Sequence, residues 1–364
     1  SDESEHPLVP HPEHAQRATL HDIMHGRNNN LNLIRFIAAL GVIWSHSYSL
    51  TGGANGSASF LDRLTSGRLS IGGMAVGVFF LYGGILISKS CERHAGATKF
   101  FAARIKRIFP QLAFVVLLCA LVFGPLLSSS DVASYFQNAQ TYRYLLNALL
   151  VPVHSLPDVF ETNPYPAVVN GALWTLPVEF ACYVLCYLTF RMTSFRKGSA
   201  TALICAALAA GIIFLSLSQL MALSVVRAIL EFFVGMLVWV WRDEIVVSPP
   251  MGLAAIAATC LLCTLGLDLP AMLLTFPYAL IWLGWGTKHK AQNFAHDIDL
   301  SYGTYLWGFP VQQTLVFLWP IPMGWLLNTV LASAIAVPMG LANHLLVDKW
   351  LMGLARSFVD KRRR

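Results

Sequence analysis

The chain has 364 residues, of which 56% are hydrophobic and only 12% charged, about half the charged share of an ordinary soluble domain. That balance argues against a water-soluble enzyme and leaves no room for a second, soluble domain; it suits a chain whose solvent is lipid. The formal net charge of +6 does not point to nucleic acid, because the basic residues lie between apolar runs and form no single aromatic-interleaved patch.

Residues 1–29 read as a flexible cytosolic N-terminal tail. The segment is polar, contains His6, His11, His14, His21 and His25 without a fixed ligand frame, and lacks the apolar stretch of a signal peptide. Apolar runs of spanning length follow over 31–50, 71–88, 109–127, 172–190, 200–218, 222–241, 250–267, 269–286, 300–319 and 323–347. They predict an all-α integral membrane protein with about ten transmembrane helices, a transmembrane domain over 30–350 and a basic cytosolic tail over 351–364. Residues 128–171 form the one long connection. Its apolar stretch Tyr144–Val153 is too short to span, and Pro152, Pro157, Pro164 and Pro166 argue against a continuous helix, so a re-entrant or interfacial segment on the extracytoplasmic side is expected. Lys and Arg concentrate in alternate connections, with Lys89, Arg93, Lys99 and Arg104 to Arg107 in one, and Arg191, Arg196 and Lys197 in another. This places both termini in the cytosol. The seven cysteines lie mostly within apolar runs, and the Cys260-x-x-Cys263 spacing falls inside a span, where a thiol acts as a small apolar residue.

Charges within a span cost at least about 2.5–3.5 kcal/mol at the bilayer centre and therefore need a reason. The first span holds Arg35 and His46. A helix turns about 1100° and rises ~16 Å over that separation, which places both on one stripe and predicts a shared cavity. His46 reads either as a structural histidine or as a general base for a sugar hydroxyl. Arg35 reads either as a snorkelling anchor or as a holder of an anionic donor group or a developing oxyanion. Glu179, early in the fourth span, neutralises Arg35 or His46, orients the imidazole, or forms a plain ion pair. In Lys99–Pro110 the basic residues Arg104, Lys106 and Arg107 set topology, and Arg104 and Arg107, three apart on one helix face, also suit a phosphate-bearing donor. The glycine-rich stretch from Gly72 to Gly84 allows close helix packing or leaves room for a thin ligand.

Taken together, these motifs resemble the acyltransferase-3 family of membrane enzymes. The family's first-helix arginine and histidine match Arg35 and His46 in LIRFIAALGVIWSH. Phe79–Ile87 (FFLYGGILI) is similar to its second-helix motif, Arg104–Pro110 to its basic stretch ending in proline, and Leu173–Glu179 to its Leu-Trp-Ser/Thr-Leu-x-x-Glu motif. Arg227–Gly235 and Ser301–Trp307 are similar to late-helix signatures. Tyr82 and Gly84 depart from the second motif, and Val347–Trp350 departs from the family's late acidic run, so Asp348 is given no role. The resemblance implies transfer of an acetyl or succinyl group from cytosolic acyl-CoA to a hydroxyl of an extracytoplasmic polysaccharide or lipid-linked oligosaccharide. It places the protein in the bacterial inner membrane, beside other polysaccharide-assembly proteins. His46, Arg35 and Glu179 are then the catalytic candidates, Arg104, Lys106 and Arg107 the acyl-CoA contacts, and Trp174 and Tyr82 the substrate contacts; no metal is expected. The rival readings are a transporter or flippase of a lipid-linked glycan, or a non-catalytic scaffold.

Overall fold

The computed structural model describes residues 18–26, 28–52, 59–94, 96–218, 223–288 and 290–362, with side chains described as far as Trp350. Helices occupy every apolar run expected from the sequence: α1 (Leu31–Gly52), α2 (Ile71–Arg93), α3 (Ala97–Leu127), α4 (Gly171–Thr193), α5 (Lys197–Leu217), α6 (Leu223–Val240), α7 (Pro249–Thr264), α8 (Asp268–Gly286), α9 (Leu300–Leu318) and α10 (Trp325–Arg362). The protein is an all-α integral membrane protein, and among the described residues seven helices are long and apolar enough to cross a bilayer. Spanning segments take this form because a helix satisfies its own backbone N–H and C=O groups where no water is available.

Packing places α1 at the centre, between α2 on one side and α9 and α10 on the other. Helix α6 backs α2, and α5 covers α6 at the lipid-facing margin. There Ile212, Ile213, Phe214 and Leu217 are exposed. Helix α9 is enclosed almost all round from Ser301 to Gln313, and its amides join the bundle. The Gln312 side-chain amide donates to the Ile43 carbonyl (2.7 Å) and to Asn328 Oδ1 (2.9 Å). That of Gln313 donates to the carbonyls of Tyr165 and Val168 (2.8 and 2.7 Å). Each bond satisfies a polar group that would otherwise lie unpaired away from water.

The glycine-rich face of α2 serves close packing. A methyl group on Gly84 would press into the Phe232 carbonyl and lie 2.9 Å from the Gly235 Cα of α6. Gly84→Ala is therefore expected to part α2 from α6 and to destabilise the protein by about 3 kcal/mol, the upper end for an overpacked core. A loss of thermal stability in nanodiscs measures it, and unchanged melting would refute the contact. In α3 the turn over Cys119–Phe123 is widened, and the Tyr135 hydroxyl donates to the Ala120 carbonyl (2.7 Å).

The structure adds detail at both ends of the chain. Part of the segment over 1–29 packs on the bundle. Leu20 is fully buried, its N–H donates to the Ile245 carbonyl (2.7 Å), and Val247 N–H donates to the Ala18 carbonyl (3.1 Å). A capping box between Thr19 and Asp22 starts the short Leu20–Ile23 helix. His6, His11 and His14 lie outside the described residues. At the other end, the 351–364 segment is helical as far as Arg362, as a continuation of α10. The connection over 128–171 holds only short helices, and its Tyr144–Leu149 stretch is a 3-10 turn with Tyr144 and Asn147 buried.

Candidate active site

Two cavities are stacked along the axis of the bundle. The inner one meets the early part of α1 at Arg35, the late part of α2 at Leu86 and Ile87, α3 at Arg107, α4 at Thr175, Glu179 and Tyr183, and α9 at Tyr302 and Tyr305. The outer one meets the late part of α1 at His46 and Ser49, the early part of α2 at Ser70–Gly73, and α6 at Arg227 and Glu231, with Trp174 and the Pro164–Pro166 segment over it. The inner space is tight, about 50 Å³, room for a few water molecules; the outer one is about 1050 Å³. Val76 and Tyr305 line both and form the wall between them.

The shared pocket expected for Arg35 and His46 is thus two adjoining cavities, with one residue in each. The stripe on α1 is as expected, but a rise of ~16 Å carries the two side chains past opposite faces of the Val76–Tyr305 wall. Arg35 therefore does not reach an oxyanion formed at His46. The His46 Nδ1 is buried and without a hydrogen-bond partner among the described residues. The ring meets Phe309 edge-on at 5.2 Å between centroids. No carboxylate orients it among the described residues; Glu179 lies in the other cavity.

The inner cavity is organised by Asp299, which sequence reasoning missed. Asp299 caps α9, accepting from the Ser301 hydroxyl (2.9 Å) and the Tyr302 N–H (3.3 Å). The same carboxylate accepts from Arg107 at 3.2 Å and lies 3.9 Å from Arg35. One cap therefore ties α1, α3 and α9 together. Glu179 accepts from the Tyr183 hydroxyl one turn along α4 and faces the same space; its ion pair with Arg35, one of the expected roles, is not formed. Lys99–Pro110 is helical from Lys99 onward. Arg107 turns inward, Lys106 is exposed, and Arg104 is half-buried, does not line the cavity, and has an Nε without a partner among the described residues.

The sequence that carries these residues matches known proteins. A family model described as an acyltransferase domain matches residues 28–342. The chain belongs to the acyltransferase-3 family. An O-acetyl transferase of Shigella phage Sf6 is 29% identical over 311 residues, covering 80% of this chain and 86% of the relative. Nodulation protein 10 of Rhizobium leguminosarum bv. viciae is 24% identical over 368 residues, covering 93% and 96%. No solved structure gave a significant match.

In this acyltransferase the two expected substrate contacts part company. Trp174 lines the outer cavity. Tyr82 is fully buried, its hydroxyl donates to the Leu280 carbonyl (2.7 Å), and its ring meets Trp285 edge-on. It walls the inner cavity but has no free hydroxyl to offer. The outer cavity also holds a charged cluster that sequence reasoning passed over. Asp268, nearly fully buried, accepts from Arg68 Nε (2.8 Å) and from Arg227. Arg227 also donates to the Arg68 carbonyl (3.1 Å). Glu231 stands one turn beyond Arg227. The readable signal was an arginine and a glutamate four apart inside an apolar run, two intramembrane charges on one helix face.

Proposed function

We propose that this acyltransferase moves an acyl group, acetyl or succinyl, from cytosolic acyl-CoA at the inner cavity to a hydroxyl of an extracytoplasmic or lipid-linked polysaccharide in the outer one. The observation that carries the reading is the pair of adjoining cavities sharing Val76 and Tyr305, with Arg35 and Arg107 on one side and the unpaired His46 imidazole on the other. Arg104 and Lys106, nearer the start of α3, meet the phosphates of the donor. Arg107 and Arg35, held by Asp299, lie deeper along the route of the thioester. Arg35 is then a positioning residue for the donor. The bacterial inner membrane is the setting this direction of transfer requires, with polysaccharide-assembly proteins as neighbours.

His46 acts as the general base. It takes the proton of the acceptor hydroxyl as the oxygen bonds to the thioester carbonyl carbon. The C–S bond then breaks, and the departing CoA thiolate takes the proton from the imidazolium. For the acyl group to reach His46 the Val76–Tyr305 wall must part. Tyr305 is held there by hydrogen bonds of its hydroxyl with Thr175 and the Ala172 carbonyl, both 2.7 Å.

Incubating the purified protein in nanodiscs with radiolabelled acetyl-CoA or succinyl-CoA, with and without a bacterial polysaccharide extract, tests the reading. Label in the polysaccharide fraction is expected with one donor. Unlabelled polysaccharide with both donors, together with movement of lipid-linked sugar across vesicles, would favour transport and overturn it.

A further inference from the structure

Glu231 is a carboxylate in search of a ligand. Only 4% of the residue is exposed, yet it lines the outer cavity. Among the described residues no hydrogen bond or ion pair within 4.0 Å engages it. Arg227, one turn back on α6, is committed to Asp268 and to the Arg68 carbonyl, and Arg68 shares the same aspartate. The site is built around the carboxylate. A methyl group on Gly77 would lie 2.8 Å from one Glu231 oxygen and 2.9 Å from the other, so α2 leaves a notch that both oxygens occupy. A buried carboxylate without partners is costly, and the missing donors must come from whatever fills the cavity.

The chemistry of that ligand follows from the groups present. A carboxylate offers two acceptors and no donor, so it engages a pair of hydroxyls. Asp268 engages both nearby guanidinium groups, and with Glu231 it balances their two positive charges, so the cluster offers no surplus positive charge to a phosphate or another anion. Trp174, Tyr165 and Tyr48 line the same space and offer flat apolar faces to the C–H side of a sugar ring. We infer that Glu231, seated in the Gly77 notch, is the acceptor-binding residue of the outer cavity and grips two neighbouring hydroxyls of an uncharged sugar ring. The choice of a sugar rests on the acyl-transfer reading above; the pairing of hydroxyls with Glu231 rests on the cavity itself.

The test uses the full chain in nanodiscs, without any acyl donor, so that it stands apart from the transfer chemistry. Ser49, exposed on the outer cavity wall, is changed to cysteine in a protein whose two exposed cysteines, Cys205 and Cys260, are alanine, and its labelling by a membrane-impermeant maleimide is timed. The probe is an equimolar mixture of methyl hexosides, with cyclohexanol as the single-hydroxyl control. The sugars are expected to slow labelling and cyclohexanol to leave it unchanged. Glu231→Gln is expected to raise the sugar concentration for half-protection about tenfold or more, as for loss of a hydrogen bond to a charged group. Gly77→Ala, which displaces the carboxylate while leaving it in the chain, is expected to act in the same direction, and it decides the matter if Glu231→Gln does not fold. Equal protection in the parent and both variants, or no protection of the parent by the sugars, overturns the assignment. If protection behaves as expected while no polysaccharide is acylated, the subsite stands and the donor reading fails.

Discussion

Replacing His46 with alanine is expected to lower the rate of acyl transfer by about 10²–10⁴-fold, the usual contribution of a general base, with little change in stability. The small stability effect follows from the surroundings of the ring. Its Nδ1 makes no hydrogen bond among the described residues, and the ring meets Phe309 edge-on. Little is lost from the folded state when such a ring goes. The outer cavity is wide enough, at about 1050 Å³, to admit a small base, so added imidazole should restore part of the rate to His46→Ala. It should not rescue a variant whose defect is misfolding. The KM for acyl-CoA should hold, because the donor contacts lie beyond the Val76–Tyr305 wall. Transfer at more than a tenth of the parent rate in His46→Ala would remove His46 from the chemistry.

Part of this site is legible in the amino-acid sequence, for a physical reason. An ionisable group inside an apolar run is expensive, so Arg35, His46 and Glu179 are conspicuous, and each lines one of the two cavities. Helical periodicity also places Arg35 and His46 on one stripe of α1. What periodicity cannot supply is the wall between them, which comes from α2 and α9 through Val76 and Tyr305, residues distant in sequence and ordinary in type. Asp299 is hidden differently. An aspartate just before an apolar run reads as a helix cap, and it is one; that its free lone pairs also receive two arginines from α1 and α3 depends on tertiary contacts. Glu231 is readable by the same cost argument that singles out Arg35, but the stretch around it also matches a late-helix signature, and that match draws attention away from the charge. Lys106 is the converse case. Its charge falls in a basic cluster, yet one step of about 100° around α3 from Arg107 turns it away from the bundle.

The two cavities differ in how they handle charge. In the outer one, Asp268 takes both ion pairs, with Arg68 and Arg227, and Glu231 balances the remaining positive charge without pairing directly. In the inner one, Asp299 serves two guanidinium groups and holds the helices that carry them in register. A single carboxylate between two arginines makes the pair depend on that carboxylate.

Asp299→Asn isolates this dependence. Asparagine caps a helix about as well as aspartate, so α9 should start unchanged, and the variant removes only the charge. Arg35 and Arg107 are then left in a largely enclosed space with only Glu179, which pairs with neither, as a counter-charge. Removing one partner of a buried ion pair costs about 3–5 kcal/mol. The lower end applies here, because 23% of the Asp299 side chain and 16% of the Arg35 side chain remain accessible. A loss of about 3 kcal/mol should lower the apparent melting temperature in nanodiscs by about 4 °C. Asp299→Ala should fall about 1 kcal/mol further, through the lost cap. Adding Arg107→Gln to Asp299→Asn removes one of the stranded charges and should recover part of the loss, a coupling that independent sites would not show. The KM for acyl-CoA should rise in Asp299→Asn as Arg35 and Arg107 move apart. If Asp299→Asn melts with the parent and the double variant is simply the sum of two small effects, the three-helix tie is not what holds the inner cavity, and the positioning role of Arg35 fails with it.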